Sequence, residues 1–244
     1  MRASELEFRR RGWFIFALFL LTFGSYALQP VNSAEWLLRV MGRAAPSLSV
    51  PTWGGAGRCI FAVGALLIGL GAWLRTWGTA YLHNEVVRDK ALHADRLVAD
   101  GPYRFVRNPL YLGNILLAIG LAPMASPLGA AVLVGGMVFL VLRLIGREEA
   151  ALLEKQGEAY REYFAQVPRL WPALRPRVPR RLAEPRWGPA WAAEIWMWIL
   201  AVAVAVFAIT LEASLFDDIV WSGLAVYFLL RAWMVRRVRP RSAG

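Results

Sequence analysis

A chain of 244 residues that is 58% hydrophobic, carries 12 Trp and has a mean hydropathy of +0.43 excludes a single soluble globule and reads as a polytopic membrane protein. Its formal net charge of +11 requires no nucleic acid, because basic loops beside anionic lipid account for it and no interleaving of aromatic and basic residues builds a base-stacking groove. The single cysteine, Cys59, excludes an internal disulfide and a Cys-based metal cluster.

In chain order, windows able to span a hydrocarbon core of about 30 Å run over Gly12 to Leu28, Cys59 to Leu82, Leu128 to Ile145, Ile195 to Leu211 and Ile219 to Val235. The first begins after "RRRG" and ends near "VNSA", a pattern shared with signal peptides, but the run is long and Asn32 fits poorly at the small-residue position. A sixth window, Tyr111 to Met124, holds only fourteen residues. At about 1.5 Å rise each they make about 21 Å of helix, too little to cross alone. The linker "PMASP", Pro123 to Pro127, has two prolines that end helices and a serine suited to a turn. These signals predict an all-α fold: a polytopic membrane helix bundle of about six transmembrane helices including a tight helical hairpin.

Basic residues gather at the cytoplasmic ends of spans. With six helices, twenty-two of the 28 Lys and Arg fall on one side, against Arg39, Arg43 and Arg58 on the other, with Arg75, Arg143 and Arg231 inside spans. Both termini are therefore expected in the cytoplasm. The Arg-rich composition points to a GC-rich bacterial genome and an inner membrane. Three regions follow: residues 1–58, a transmembrane helix and extracytoplasmic loop; 59–176, a central block; and 177–244, a Pro- and Arg-rich linker with a C-terminal helix pair.

Chemistry-bearing residues concentrate in the central block. In "GPYRFVRNPLYLGN", Gly101 to Asn114, Pro109 fits the first turn of a helix and Asn108 is a favoured N-cap. Free amides and the positive dipole end then point outward, beside Arg104, Arg107 and the rings of Tyr103 and Tyr111. Basic and aromatic residues are also ordinary at any membrane border. Further on, Glu148 and Glu149 follow the end of a span, about 100° apart on one helix, so that one can face inward and the other solvent. Glycines at 64, 69 and 71 allow close helix packing. No strand, turn and helix unit is present to hold a dinucleotide, and phosphate loops are absent.

The order "GPYRFVRNPLYLG", then "EE", then Leu153, Gly157, Tyr160, Tyr163 and Val167 to Arg169, preceded by "LRTWGTAYL" at Leu74 to Leu82, resembles the isoprenylcysteine carboxyl methyltransferase and phospholipid methyltransferase superfamily of integral membrane enzymes. The resemblance covers roughly Leu74 to Pro172. It implies a methyltransferase core over 59–176, S-adenosylmethionine as methyl donor in a cytoplasmic-side cofactor pocket, and a membrane lipid or lipidated acceptor. Carried over by position, Tyr103, Arg104, Arg107, Asn108, Pro109, Tyr111, Gly113, Glu148 and Glu149 are the cofactor-binding candidates. Asn108 stands where isoprenylcysteine enzymes usually have His and resembles the phospholipid amine enzymes instead, so the acceptor stays open between amine and carboxylate.

Candidate catalytic residues are Glu148, Glu149 and His83, any of which can take a proton from an amine acceptor, and Arg75, an ionisable group within a span and so a functional candidate. His83 and His93, with no third ligand, make no metal site. Arg143 and Arg231 are expected to snorkel, and Trp187, Trp191, Trp196 and Trp198 to form an interfacial belt. Two rival functions remain: an NADPH-dependent membrane reductase of the sterol reductase type, and a non-catalytic lipid-binding protein.

Overall fold

The computed structural model describes residues 3–44, 53–82 and 97–238, and among these every regular element is helical. The elements are α1 (Glu5–Arg9), α2 (Arg11–Gly24), α3 (Ser33–Ala44), α4 (Trp53–Tyr81), α5 (Pro109–Leu121), α6 (Pro127–Gln156), α7 (Glu158–Gln166), α8 (Trp187–Thr210) and α9 (Ala213–Val238), with short 3-10 turns at Ser25–Ala27, Gly101–Arg104 and Ala122–Met124. Among the described residues three helices are long and apolar enough to cross a membrane: Gly54–Tyr81, Pro127–Gln156 and Trp187–Thr210. Arg11–Ala27 and Pro109–Met124 are shorter apolar segments.

The hairpin forms where the two prolines and serine stand. The 3-10 turn closes α5, and Ser126 caps α6 by accepting from the Gly129 amide at 3.0 Å. The stretch after α2, expected as a loop, contains the amphipathic helix α3, whose start is capped by Asn32 Oδ1 accepting from Glu35 N at 2.8 Å. Ser33 ties α3 to the hairpin by donating its amide to the Ala125 carbonyl at 2.7 Å.

Helix α4 is the central post, packed against α5 and α8, while α2 and α5 pack on α6 and α9 lies chiefly on α8. Ile68, Leu117, Leu133, Met137, Met197 and Val204 interlock in the shared apolar core. Two glycine pairs bring α4 and α5 backbone to backbone: a Cβ on Gly64 would stand 2.5 Å from the Gly120 carbonyl oxygen, and one on Gly71 would stand 2.8 Å from that of Gly113. Gly69, expected on the same face, meets open space.

Apolar grooves on the bundle surface include two of about 360 and 350 Å³ among the described residues. One lies between α4 and α5 near Cys59 and Pro123, the other between α8 and α9 near Ile199 and Gly223, and neither is bordered by a residue of the arginine and tyrosine motif.

Candidate functional site

The motif turn is built on a left-handed glycine. Gly101 has φ +59°, and a Cβ there would strike the Tyr81 ring, so only glycine lets the chain turn against the end of α4. The 3-10 turn that follows buries Pro102 and Tyr103. Residues 173–186 cross over it as a strap. Asp100, 2% exposed, accepts from the amides of Arg181 at 2.8 Å and Ala183 at 2.9 Å. The Arg104 carbonyl takes the Arg177 amide at 2.8 Å, the Phe105 carbonyl takes the Ala173 amide at 2.9 Å, and Arg104 Nε donates to the Val178 carbonyl at 3.0 Å.

Gly157, φ +56°, turns the chain from α6 into α7. That reversal lays Tyr160, Tyr163 and Val167 into a small second core with Ala99. Tyr163 donates its hydroxyl to the Tyr103 carbonyl at 2.8 Å, and burial pushes its phenol above the ordinary tyrosine range.

Arg107 and Glu149 meet under this cover with side chains only 7% and 4% exposed. Arg107 Nε donates to Glu149 Oε1 at 3.0 Å, its Nη1 donates to the carbonyls of Phe164 and Val167, and its guanidinium lies 3.8 Å from the Phe164 ring centroid. The other carboxylate oxygen takes Arg169 Nη2 at 2.6 Å. Asn108 stands at the N-cap position, but its amide turns away from the helix. It reaches Glu149 Oε1 at 3.4 Å and the Arg169 carbonyl at 3.1 Å and caps nothing.

Glu148 faces another way. Its neighbours are the Tyr111 hydroxyl and the charges of Arg11 and Glu149, and among the described residues it makes no ion pair within 4 Å. About twenty residues cover a hydrocarbon core, so a helix starting at Pro127 emerges near this position. Tyr103, 6% exposed, presents a hydroxyl with no hydrogen-bond partner among the described residues. Burial first, then the Glu148 charge, pushes that phenol well above its ordinary range. Glu148, Arg75 and Glu194 all act electrostatically on it.

Arg75 lies at the next level of the bundle. Its guanidinium makes a two-pronged pair with Glu194 of α8, Nε to Oε2 at 2.7 Å and Nη2 to Oε1 at 3.0 Å, while Nη1 donates to Asn114 Oδ1 at 2.9 Å and the Leu110 carbonyl at 3.3 Å. Thr79 adds a donor to Glu194 Oε1 at 2.9 Å. Pro109 and Gly113 face α4, the first near Gly78 and the second against Arg75 Cγ.

The structure therefore brings Tyr103, Arg107, Asn108, Tyr111, Glu148 and Glu149 to one end of the bundle, with Arg75 beneath them and Arg104 occupied by the strap. His83 and His93 lie outside the described residues. Two residues escaped the sequence reading. Arg11 is the cation beside Glu148; Glu194 sits in an apolar tryptophan-rich run and carries the same signal that marked Arg75, an ionisable group in a span.

Arg143 Nη2 pairs with Glu7 at 2.8 Å. One assignment changes. The tryptophans are not a simple belt, because Trp198 donates to Thr76 Oγ1 at 3.0 Å and Trp196 lies beneath the Arg75 guanidinium.

No curated protein and no solved structure matches the chain. Residues 59–159, which hold most of α4, the motif turn, α5, α6 and the glutamate pair, match the family described as phospholipid methyltransferase, within the isoprenylcysteine and phospholipid methyltransferase superfamily.

Proposed function

We propose that the chain is an integral membrane methyltransferase that uses S-adenosylmethionine and acts on a lipid or lipid-linked acceptor, with its site at the cytoplasmic end of the bundle. The observation that carries this reading is convergence. Arg107 and Asn108 of the motif meet Glu149, about 40 positions on, within hydrogen-bonding distance, and Tyr111 meets Glu148, within the segment matched to a methyltransferase family.

The residues present suit such a donor. Glu148, which makes no ion pair among the described residues, can accept from ribose hydroxyls or an ammonium. The buried Tyr103 hydroxyl lacks a partner among the described residues, the kind of atom a polar ligand satisfies. Tyr111 offers a ring beside them. When bound, S-adenosylmethionine supplies an electrophilic methyl on a sulfonium that departs as a thioether. Arg107, Asn108 and Glu149 hold the motif turn, α5 and α6 in register. The strap and α7 exclude water from the tip. For an amine acceptor Glu148 takes the proton that the nitrogen must lose; a carboxylate acceptor needs no base.

Calorimetry on the purified protein tests this reading, with binding of S-adenosylmethionine and labelled methyl transfer to a lipid extract as the expected result. Binding of NADPH in its place reverses the assignment to a reductase. Donor binding with no labelled lipid product reduces the protein to a non-catalytic binder. Comparison of lipids from cells with and without the protein, searching for an increment of about 14 Da, identifies the acceptor class: one methyl replacing one hydrogen, the unit in which positioned transfer proceeds.

A further inference from the structure

Glu194 lies on α8, beyond the segment that matches the family. Placing two ionisable groups in apolar helices is costly, which makes each of them a candidate for function. Glu194 is 4% exposed and spends both carboxylate oxygens on α4: Oε2 on Arg75 Nε, Oε1 on Arg75 Nη2 and Thr79 Oγ1. That grip fixes the plane of the guanidinium and aims Nη1, the nitrogen left over, at the Leu110 carbonyl and the Asn114 side chain. Leu110 stands between Pro109 and Tyr111. The first turn of α5, which presents Tyr111 to Glu148, is therefore pinned from α8 through Arg75. Gly113 makes this possible, since a Cβ there would stand 2.5 Å from Arg75 Cγ. Arg75 is also an electrostatic neighbour of both Tyr103 and Tyr111, and Glu194 of Tyr103.

Resting on the methyltransferase reading above, we propose that Glu194 is a positioning residue of the transfer site: it orients Arg75, which sets the start of the motif helix and with it Tyr111. The C-terminal helix pair is then part of the enzyme, not an appendage to it.

A purely structural pair makes a different forecast. Replacing both members of a buried ion pair by apolar residues of similar volume commonly leaves stability unchanged, so a pair that only glues α8 to α4 is dispensable once both charges go. The test compares wild type, E194Q, E194D and the double variant R75M/E194L in one detergent. Four quantities are measured: thermal midpoint, S-adenosylmethionine affinity, kcat and KM for labelled methyl transfer to a lipid extract, and amide hydrogen exchange over 109–114 in ligand-free protein.

We expect E194Q to lose on the order of 10²-fold in kcat, the effect of misplacing reacting groups by about 1 Å, and E194D to recover part of it. The double variant should match the wild-type midpoint, retain the kcat defect and exchange faster over 109–114. Should E194Q fail to fold, the double variant decides. A double variant with wild-type kcat and wild-type exchange overturns this inference alone. A wild-type protein that neither binds the donor nor transfers a methyl overturns the function reading and this inference with it.

Discussion

Glu149→Gln tests whether the two adjacent glutamates do different work. Glu149 accepts from Arg107, Asn108 and Arg169 with its side chain 4% exposed, and Arg107 is 7% exposed. Removing one partner of a buried pair costs about 3–5 kcal/mol because the other charge is stranded. Here Arg107 keeps two carbonyl acceptors and the face of Phe164, so its charge is only partly stranded, and the expected loss falls below the middle of that range, to about 2–3 kcal/mol. At about 2–4 °C per kcal/mol for a chain of this size, the thermal midpoint should fall by about 4–12 °C. Tryptophan fluorescence during heating of purified protein in one detergent reads this directly. Glu148→Gln is the contrast: with no ion pair to break, its midpoint should move by less than about 2 °C, while affinity for S-adenosylmethionine falls. A Glu149→Gln midpoint within about 2 °C of wild type, or an equal fall in both variants, refutes the division of labour.

Other outcomes follow from the same geometry. Asp100→Ala strands two amides of the strap at a cost of about 1–3 kcal/mol, so trypsin should cut at Arg177, Arg180, Arg181 or Arg186 far faster than in wild type; equal cleavage rates contradict the strap's anchoring. Gly113→Ala and Gly120→Ala should each destabilise by about 1–3 kcal/mol through overpacking of α4 against α5, but only the first, which meets Arg75, should also lower kcat. Glu7 is held down to about 2, chiefly by hydrogen bonding to the Arg143 guanidinium and then to the Ser4 amide, from an ordinary 4.5. Since its carboxyl is depressed on folding, its stabilisation is complete above about pH 4.5 and is lost as pH falls toward 2. The stability advantage of wild type over Glu7→Gln should therefore shrink across that window, and an advantage that grows on acidification refutes the assignment.

Hydropathy made the long helices and the hairpin legible, because a run of apolar residues and a pair of prolines are local signals. The amphipathic α3 was missed since Glu35, Arg39 and Arg43 break any apolar window, although its helical period was there to be read. The tip and the glutamate pair were recognisable from their order along the chain. Their division was not: whether Glu148 or Glu149 meets Arg107 depends on the rotation of α6 against the motif turn and α5, which a single sequence does not contain. Arg75 stood out as a charge in a span, yet its partner is 119 positions away, and pairing at such separation leaves no local trace.

The backbone bonds from 173–186 to Asp100, Arg104 and Phe105 bear on biogenesis. When a ribosome has made the matched segment through residue 159, the motif turn still lacks the amides that will cover it, and Arg75 waits longer for its carboxylate. Assembly of the candidate site must therefore trail the matched segment by some 35 residues of synthesis, several seconds at about 5–20 residues per second. Until α8 joins the bundle, the nascent protein carries an Arg75 guanidinium without its Glu194 carboxylate.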